Sequence, residues 1–345
     1  MKSRRYQALF LAFALCVAGA TAGCTTKKAA NSSSGGKSVT IRYAIALGPD
    51  TAPGVTARTF KKDIESQSGG KIKVNLYYTG DLGTNQDVMD QTVAGTVQMY
   101  TAATSFLQQT DPSVTIDELP YLFSNYAQAT AFWSGPVGTA IKSDIMQKAG
   151  VRVLNAESFG FHDMLTKTPI TSVDSFKGLK IQTSNTIQTN WATTLGMTTV
   201  NVPLGNAYTA VQQGLINSLN QAFDASVAQK WYEVLKYATE SNDIYSTGLG
   251  FVNEKFWQTL PASDQTMIQN EMTKLQTSEI QYLQQTEQSD EDQMKAKGVT
   301  FTVLSADVMA QLKAKMAPIY AKVGTSLGPN AAQWLSQWQS SSGAQ

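Results

Sequence analysis

The chain has 345 residues, of which 42% are hydrophobic and 15% are charged, so it can bury one large or two ordinary cores and is not generally disordered. Its 27 Lys and Arg residues nearly balance its 26 Asp and Glu residues, which gives no support to nucleic-acid binding, since that needs a basic face. Two cysteines and a single histidine exclude most thiol and metal chemistry, and we expect no cofactor.

Residues 1–23 have the pattern of a secretory signal peptide. Basic residues at positions 2, 4 and 5 precede an apolar run from Ala8 to Ala20, which is too short for a relaxed transmembrane helix. Small residues then run directly into Cys24 and resemble the lipobox of bacterial lipoproteins, which predicts lipidation of Cys24. Ordinary signal cleavage nearby, which would leave a free protein, is the alternative.

Residues 24–38 are predicted to form a lipidated, flexible tether, because the stretch after Cys24 contains no apolar cluster. Cys16 lies inside the signal, so the exported chain holds Cys24 alone and can form no internal disulfide. We therefore expect an exported body in the periplasm or at the cell-envelope surface. It would be held to a membrane by its lipid anchor only.

Strand-like and helix-like segments alternate from residue 39 onwards, which favours an α/β fold. A helical pattern at Ala57–Gln67 separates two strand patterns and ends before Gly69 and Gly70. The predicted strands are Val39–Ala46, Lys71–Tyr78, Val151–Asn155, Lys180–Thr183 and Thr198–Val202.

One helix is predicted to be unusually long, from Asp264 to Lys297, because the segment contains no Pro or Gly and carries one apolar stripe. A continuous helix of this length would reach roughly 50 Å. That exceeds the width of one small domain, so we expect this helix to brace two lobes.

Signatures of catalysis are few. His162 is the only imidazole, and the sequence contains no Gly-x-Ser-x-Gly elbow, no P-loop and no Gly-x-Gly-x-x-Gly fingerprint. A hydrolase that uses only carboxylates is the remaining enzymatic alternative, since paired acids leave no sequence signature. The sequence therefore favours ligand capture over catalysis.

Four blocks of sequence carry a family resemblance. They are residues 68–74 with 80–83, residues 97–99 with 118–123, residues 167–170 with 176–181, and residues 195–200 with 208–214 and 231–234. In their order and spacing they resemble the DctP-type solute-binding proteins of tripartite ATP-independent periplasmic (TRAP) transporters. The resemblance covers nearly the whole chain after the tether.

The resemblance implies a two-lobed periplasmic solute-binding fold of α/β class, with hinge strands and a long bracing helix. Lobe I would comprise residues 39–159 plus about 248–287, and lobe II residues 160–247 plus about 288–345. It also implies a monomer that delivers a small solute to a membrane permease with a small and a large subunit. A solute-sensing accessory protein of a signalling system is the alternative.

The chain departs from the family at the positions that usually bind the solute. By the resemblance, Gln182 replaces an arginine that binds the solute carboxylate, His162 replaces a second arginine, Asn206 replaces a glutamate and Gln221 replaces an asparagine. The chain has no arginine after position 152 that could substitute. The solute is therefore expected to be either a monocarboxylate or other organic acid, or a neutral or zwitterionic polyol, sugar or amide.

Four further residues are candidates for solute contact. Asn185 follows Gln182 closely, and a turn or capping role is its alternative. Phe223, Tyr43 and Trp191 are predicted walls of the cleft, with a place in the core as the alternative for each.

Overall fold

The computed structural model describes residues 38–342. The predicted signal peptide, Cys24 and the tether up to residue 37 lie outside the described residues. Within 38–342, no helix is both long and apolar enough to cross a bilayer.

The strands of the described chain form one mixed sheet of nine strands. They are β1 (Val39–Ile45), β2 (Ile72–Tyr77), β3 (Met99–Ala103), β4 (Val151–Thr166), β5 (Lys180–Gln182), β6 (Thr198–Val200), β7 (Ser218–Gln221), β8 (Tyr237–Asn253) and β9 (Thr300–Val303). Their order is β2-β1-β3-β8-β4-β7-β5-β6, with β9 paired to β8.

Helices cover the sheet and connect its strands, as the α/β expectation required. The α-helices are α1 (Ala52–Gln67), α2 (Asn85–Ala94), α3 (Tyr126–Ser134), α4 (Pro136–Ala149), α5 (Thr186–Thr194), α6 (Ala207–Gln212), α7 (Phe223–Ala228), α8 (Glu254–Thr259), α9 (Ala262–Ala296), α10 (Ala306–Lys315), α11 (Ala317–Ala321), α12 (Val323–Ser326) and α13 (Pro329–Ser342). Shorter 3-10 segments occupy Thr104–Leu107, Pro112–Glu118, Val173–Phe176, Leu204–Asn206 and Trp231–Glu233.

The centre of the sheet is the antiparallel pair of β4 and β8, which are 16 and 17 residues long. β3 pairs with the end of β8 from Gly248 to Val252 and joins β1 and β2 to it. β7 pairs with the other end of the central pair, along β4 from Asp163 to Thr166, and joins β5 and β6. The two groups of strands thus form two lobes that share one pair of continuous strands.

The central pair is irregular where it passes from one lobe to the other. The pairing register of β4 shifts between Ser158 and Phe161. Gly160 lies inside this shift at a φ of 86°, in the left-handed region that side chains with a Cβ rarely adopt. A Cβ on Gly160 would lie 3.0 Å from the Cβ of Ala222, so the bend needs glycine for both backbone and space.

The predicted long helix is confirmed, with bounds two residues earlier at the start and one at the end. Helix α9 has 35 residues, about 52 Å at the usual rise per residue. Its stripe of Ile268, Met272, Leu275 and Leu283 is buried. Because α9 packs against α1, β4 and α7, it contacts both lobes and braces them.

The C-terminal helices contact both lobes as well. Helices α10 and α11 pack against the 3-10 segment Val173–Phe176 and against α5, whereas α13 packs against α4 and the 3-10 segment Pro112–Glu118. The lobe boundaries at about 248, 287 and 288 therefore stay a prediction, and α13 is the helix that belongs least clearly to lobe II.

Candidate functional site

A cleft of about 710 Å³ opens between the strand ends of the two lobes. The chain just after β1 and the turn from Thr79 to Asp87 line one side. The end of β5 and the segment from Asn201 to Asn206 line the other. His162 of β4 and Ser246 of β8 contribute from the central pair. Strand ends commonly form binding sites in α/β folds, since loops there can vary without disturbing the sheet.

The lining of this cleft is rich in amides and hydroxyls. Its amide side chains are Asn85, Gln86, Gln108, Gln109, Gln182, Gln188, Asn201, Asn206 and Gln221, and its hydroxyls are Thr79, Thr84, Ser105, Thr183, Ser184 and Ser246. Two carboxylates, Asp87 and Glu118, also line it. Among the described residues that line the cleft, none is Lys or Arg.

His162 lies in the cleft wall with only 4% of its surface exposed. Its Nδ1 is 3.2 Å from Oδ1 of Asn220, whose Nδ2 donates to Oδ1 of Asp243 at 2.8 Å. Because that Asn220 oxygen can only accept, Nδ1 carries the proton and Nε2 is left as an acceptor. Burial lowers the pKa of His162 to about 4, partly offset by the hydrogen bond to Asn220, so the ring is neutral at pH 7.

Three other predicted residues also line the cleft. Gln182 ends β5, is 5% exposed and donates from Nε2 to Oγ of Ser184 at 2.9 Å. Gln221 ends β7, and Asn206 ends the 3-10 segment that begins at Leu204. The structure thus brings His162, Gln182, Asn206 and Gln221 together at one cleft.

The other four predicted residues do not line the cleft. Asn185 caps α5, since its Oδ1 accepts from the backbone N–H of Gln188, and its Nδ2 donates to Glu118 of the lining. Tyr43 is buried against Phe60 and shares a hydrogen bond with Thr101.

Trp191 and Phe223 are also buried. Trp191 lies within the main hydrophobic core. Phe223 packs against Phe301 and borders a separate small cavity beneath Gly160. An aromatic side chain in a sequence does not reveal which face of its helix or strand is covered, which is why these positions could not be told from core.

Glu118 is the buried acid among the lining residues that the sequence did not single out as contacts. It ends the 3-10 segment Pro112–Glu118 and is 1% exposed. Burial raises its pKa to about 7, against the opposing effect of hydrogen bonds from Asn185, Gln188 and Ser105. The sequence signal that could have found it is its place in the Glu-Leu-Pro-Tyr block at residues 118–121.

The model of one protein family, described as bacterial extracellular solute-binding protein, family 7 (DctP), matches residues 43–326. The chain belongs to this family. A solute-binding protein needs the features found here: two lobes, shared strands at the hinge and a polar cleft between strand ends. The recognition of a DctP-type chain and its two-lobed fold are thereby confirmed.

Relatives of this solute-binding protein include proteins named for different solutes. The C4-dicarboxylate-binding periplasmic protein DctP of Rhodobacter capsulatus is 26% identical over 84% of this chain and 88% of its own. The ectoine/5-hydroxyectoine-binding periplasmic protein UehA of Ruegeria pomeroyi is 27% identical over 86% of this chain and 89% of its own. These names favour solute capture over the sensing alternative.

Solved structures share the fold at lower identity. The sugar acid binding protein of Advenella mimigardefordensis in complex with galactonate has a TM-score of 0.84, with 21% identity over 88% of this chain and 99% of that one. A TRAP periplasmic solute-binding protein of Haemophilus influenzae with bound L-gulonate has a TM-score of 0.82, with 23% identity over 88% and 99% of the two chains.

Proposed function

We propose that this protein captures a neutral or zwitterionic polyol, sugar or amide outside the cytoplasm and passes it unchanged to a TRAP-type permease. The observation that carries the choice of solute is the lining of the cleft, where amides and hydroxyls are present and Lys and Arg are absent among the described lining residues. An organic acid is the competing solute class.

A carboxylate needs hydrogen-bond donors, preferably charged ones, when it leaves water for a cleft of low polarity. Gln182 offers one neutral amide that already donates to Ser184. His162 is neutral and offers an acceptor at Nε2, which a carboxylate could not use. Hydroxyl, amide and ammonium groups can donate to that nitrogen, and hydroxyls can also accept from the surrounding amides.

One relative is named for zwitterionic solutes, which supports including that class. UehA is named for ectoine and 5-hydroxyectoine, whose carboxylate is accompanied by a positively charged amidinium, whereas both bound solutes in the two compared structures are sugar acids. A change from arginine to Gln182 is the kind of substitution that would move a member of this family from one solute class to the other.

Thermal-shift screening followed by calorimetry tests the proposal. A bound solute raises the melting temperature by mass action, so alditols, sugars, amides and amino acids should raise it, whereas mono- and dicarboxylates should not. The matched pair of glucitol and gluconate differs only at one terminal carbon and compares the two classes directly. Tight binding confined to carboxylates would overturn the proposed solute class.

We further propose that the protein is exported, anchored through a lipid on Cys24, and active as a monomer without catalysis. Replacement of Cys24 by serine should release the protein from the membrane fraction while leaving solute binding intact. Reconstituted permease vesicles should take up the solute only when this protein is added. Uptake that is independent of it would contradict the transport role.

A further inference from the structure

The cleft contains one buried carboxylate whose charge has no cationic partner. Glu118 forms none of the ion pairs found among the described residues. The other carboxylate of the lining, Asp87, already serves as the N3 residue of the capping box of α2 with Thr84. Of the two acids in this lining, Glu118 is therefore the one whose charge is stabilised neither by the N-terminus of a helix nor by an ion pair.

The neutral donors around Glu118 fix its position. Gln188 Nε2 donates to its Oε2 at 2.9 Å, and Asn185 Nδ2 donates to the same oxygen. The acceptor atoms of both amides are also engaged, because Asn185 Oδ1 accepts from the Gln188 backbone and Gln188 Oε1 accepts from the Ser184 backbone. Neither amide can turn away without leaving a backbone donor unpaired, so Glu118 is held rigidly at the wall.

Burying a carboxylate without a cation costs free energy, which the chain reduces with hydrogen bonds but does not neutralise. Two ways of neutralising it remain: a proton, or a positive group brought by the ligand. The raised pKa of Glu118 reflects its tendency to take up a proton. A solute with an N–H-bearing cation would supply the second and would also find the Nε2 acceptor of His162 in the same cleft.

We propose that Glu118 binds an ammonium or similar N–H-bearing cationic group of the solute, so that the preferred ligands are amine-bearing zwitterions or amino-polyols. This inference rests on the proposed function and narrows it from non-anionic solutes to those with a positive nitrogen. Glu118 acts as a specificity-determining residue that the ligand contacts directly.

Calorimetry with three probes that share one carbon skeleton tests the inference: glucitol, its amine derivative glucamine, and gluconate. Amino acids and their N-trimethyl analogues extend the panel, because the trimethyl compounds keep the charge but lose the N–H donors. Wild-type protein should bind the amine-bearing members at least tenfold more tightly than their hydroxyl or trimethyl counterparts, since a hydrogen bond to a charged group exceeds a neutral one by about this factor.

Glu118→Gln is the decisive variant, because it keeps an oxygen to accept from Asn185 and Gln188 but removes the charge. It should lose roughly tenfold to a hundredfold in affinity for amines and little for glucitol. Glu240→Gln is the matched control, since this partly buried acid of β8 does not line the cleft and also has a raised pKa. It should bind every probe as wild type does.

The pH dependence of binding gives a second readout that a merely structural role would not produce. An amine binds the ionised form of Glu118, so with its pKa at about 7 affinity should rise about tenfold from pH 6 to pH 8 and release a proton. Of the other titratable groups, Asp117 precedes Glu118 in the chain and interacts with it electrostatically, and Asp87 and His162 belong to the same lining. The dependence should disappear in Glu118→Gln.

The outcomes distinguish the role of Glu118 from the broader proposal that the solute is not an anion. Equal binding of glucitol and glucamine, unaffected by Glu118→Gln, would refute the role of Glu118 and leave the non-anionic solute class standing. Binding of gluconate alone would refute both. Failure of every amine in the panel to bind or to shift the melting temperature would refute the inference.

Discussion

Replacing Gln182 by arginine should convert the cleft into one that binds sugar acids. Gln182 is buried to 95% at the end of β5, and the hydrogen bond from its side chain to Ser184 would be lost at a cost of about 1 kcal/mol. A guanidinium at this position can donate two parallel hydrogen bonds to a carboxylate, which contribute about 1.5–3 kcal/mol for a charged pair. Gluconate affinity should therefore rise about tenfold to a hundredfold.

Calorimetry with gluconate and glucitol measures this gain, and Gln182→Met and Gln182→Lys are the matched controls. Methionine keeps the volume without donors and should gain nothing, whereas lysine supplies charge without the planar fork and should gain less than arginine. The free Gln182→Arg protein should melt at a lower temperature because its new charge is buried without a partner, and gluconate should restore the loss. A folded Gln182→Arg variant with unchanged gluconate affinity would show that Gln182 does not face the solute.

Three further changes test the electrostatics and the hinge. The contribution of His162 to the unfolding free energy should be fully maintained above pH 6.5 and fall by up to about 3 kcal/mol towards pH 4, because its ring is buried neutral with a pKa of about 4. Buried acids with a raised pKa, such as Glu157, change stability in the opposite direction, so urea unfolding should compare wild type with His162→Gln at each pH, and the difference between them should change by this amount. Glu279→Gln should raise the melting temperature at pH 8, because it removes the charge of a buried acid. Oε1 of Glu279 has no hydrogen-bond partner among the described residues, whereas Oε2 accepts from the Ser158 backbone; a lower melting temperature of the variant would contradict the prediction. Gly160→Ala should lower the unfolding free energy by about 1–2 kcal/mol from backbone strain alone. It should destabilise the fold more than Gly178→Ala, since a Cβ at position 160 would crowd Ala222 whereas one at position 178 would meet no neighbour; denaturant titration of both variants measures the difference.

The sequence predicted the elements whose burial follows a simple period. β2 alternates buried and exposed residues and α9 carries one apolar stripe, so their bounds were predicted to within about two residues. The bounds of β1 were predicted equally well from its β-favouring composition, although its last three residues are all buried. Helix α1 begins five residues before its predicted start at Ala57, because Pro53 lies in its first turn, where a missing N–H costs nothing.

The central strands could not be read from such a period. β4 was predicted only as Val151–Asn155, and β8 was not predicted, although both are long and almost wholly buried. Their interior contains Glu157, His162 and Asp243, which a hydrophobic pattern scores as surface but which the structure buries with hydrogen-bond partners. Polar residues occupy these buried hinge and cleft positions because of their role there, so the hydrophobic period that marks a core strand is interrupted.

The residues of the cleft were also only partly predictable from the sequence. Gln182, His162, Asn206 and Gln221 were predicted from their alignment with the solute-binding positions of the family, and all four line one cleft in the structure. Glu118 was missed because its segment joins the cleft only through tertiary packing against α5. Tyr43 and Trp191 were predicted as walls of the cleft but lie in the core, because the chemical type of a side chain does not show in which direction it points.

The continuous passage of β4 and β8 through both lobes has a consequence for engineering. Neither lobe is a contiguous stretch of chain, so no single cut in the polypeptide yields two halves that fold by themselves, and fragment complementation would have to rebuild the whole sheet. A fluorescent reporter of solute capture is better inserted in the exposed turn at Thr171 and Ser172, just after β4, where the backbone leaves the shared strands and a fused protein would move with one lobe.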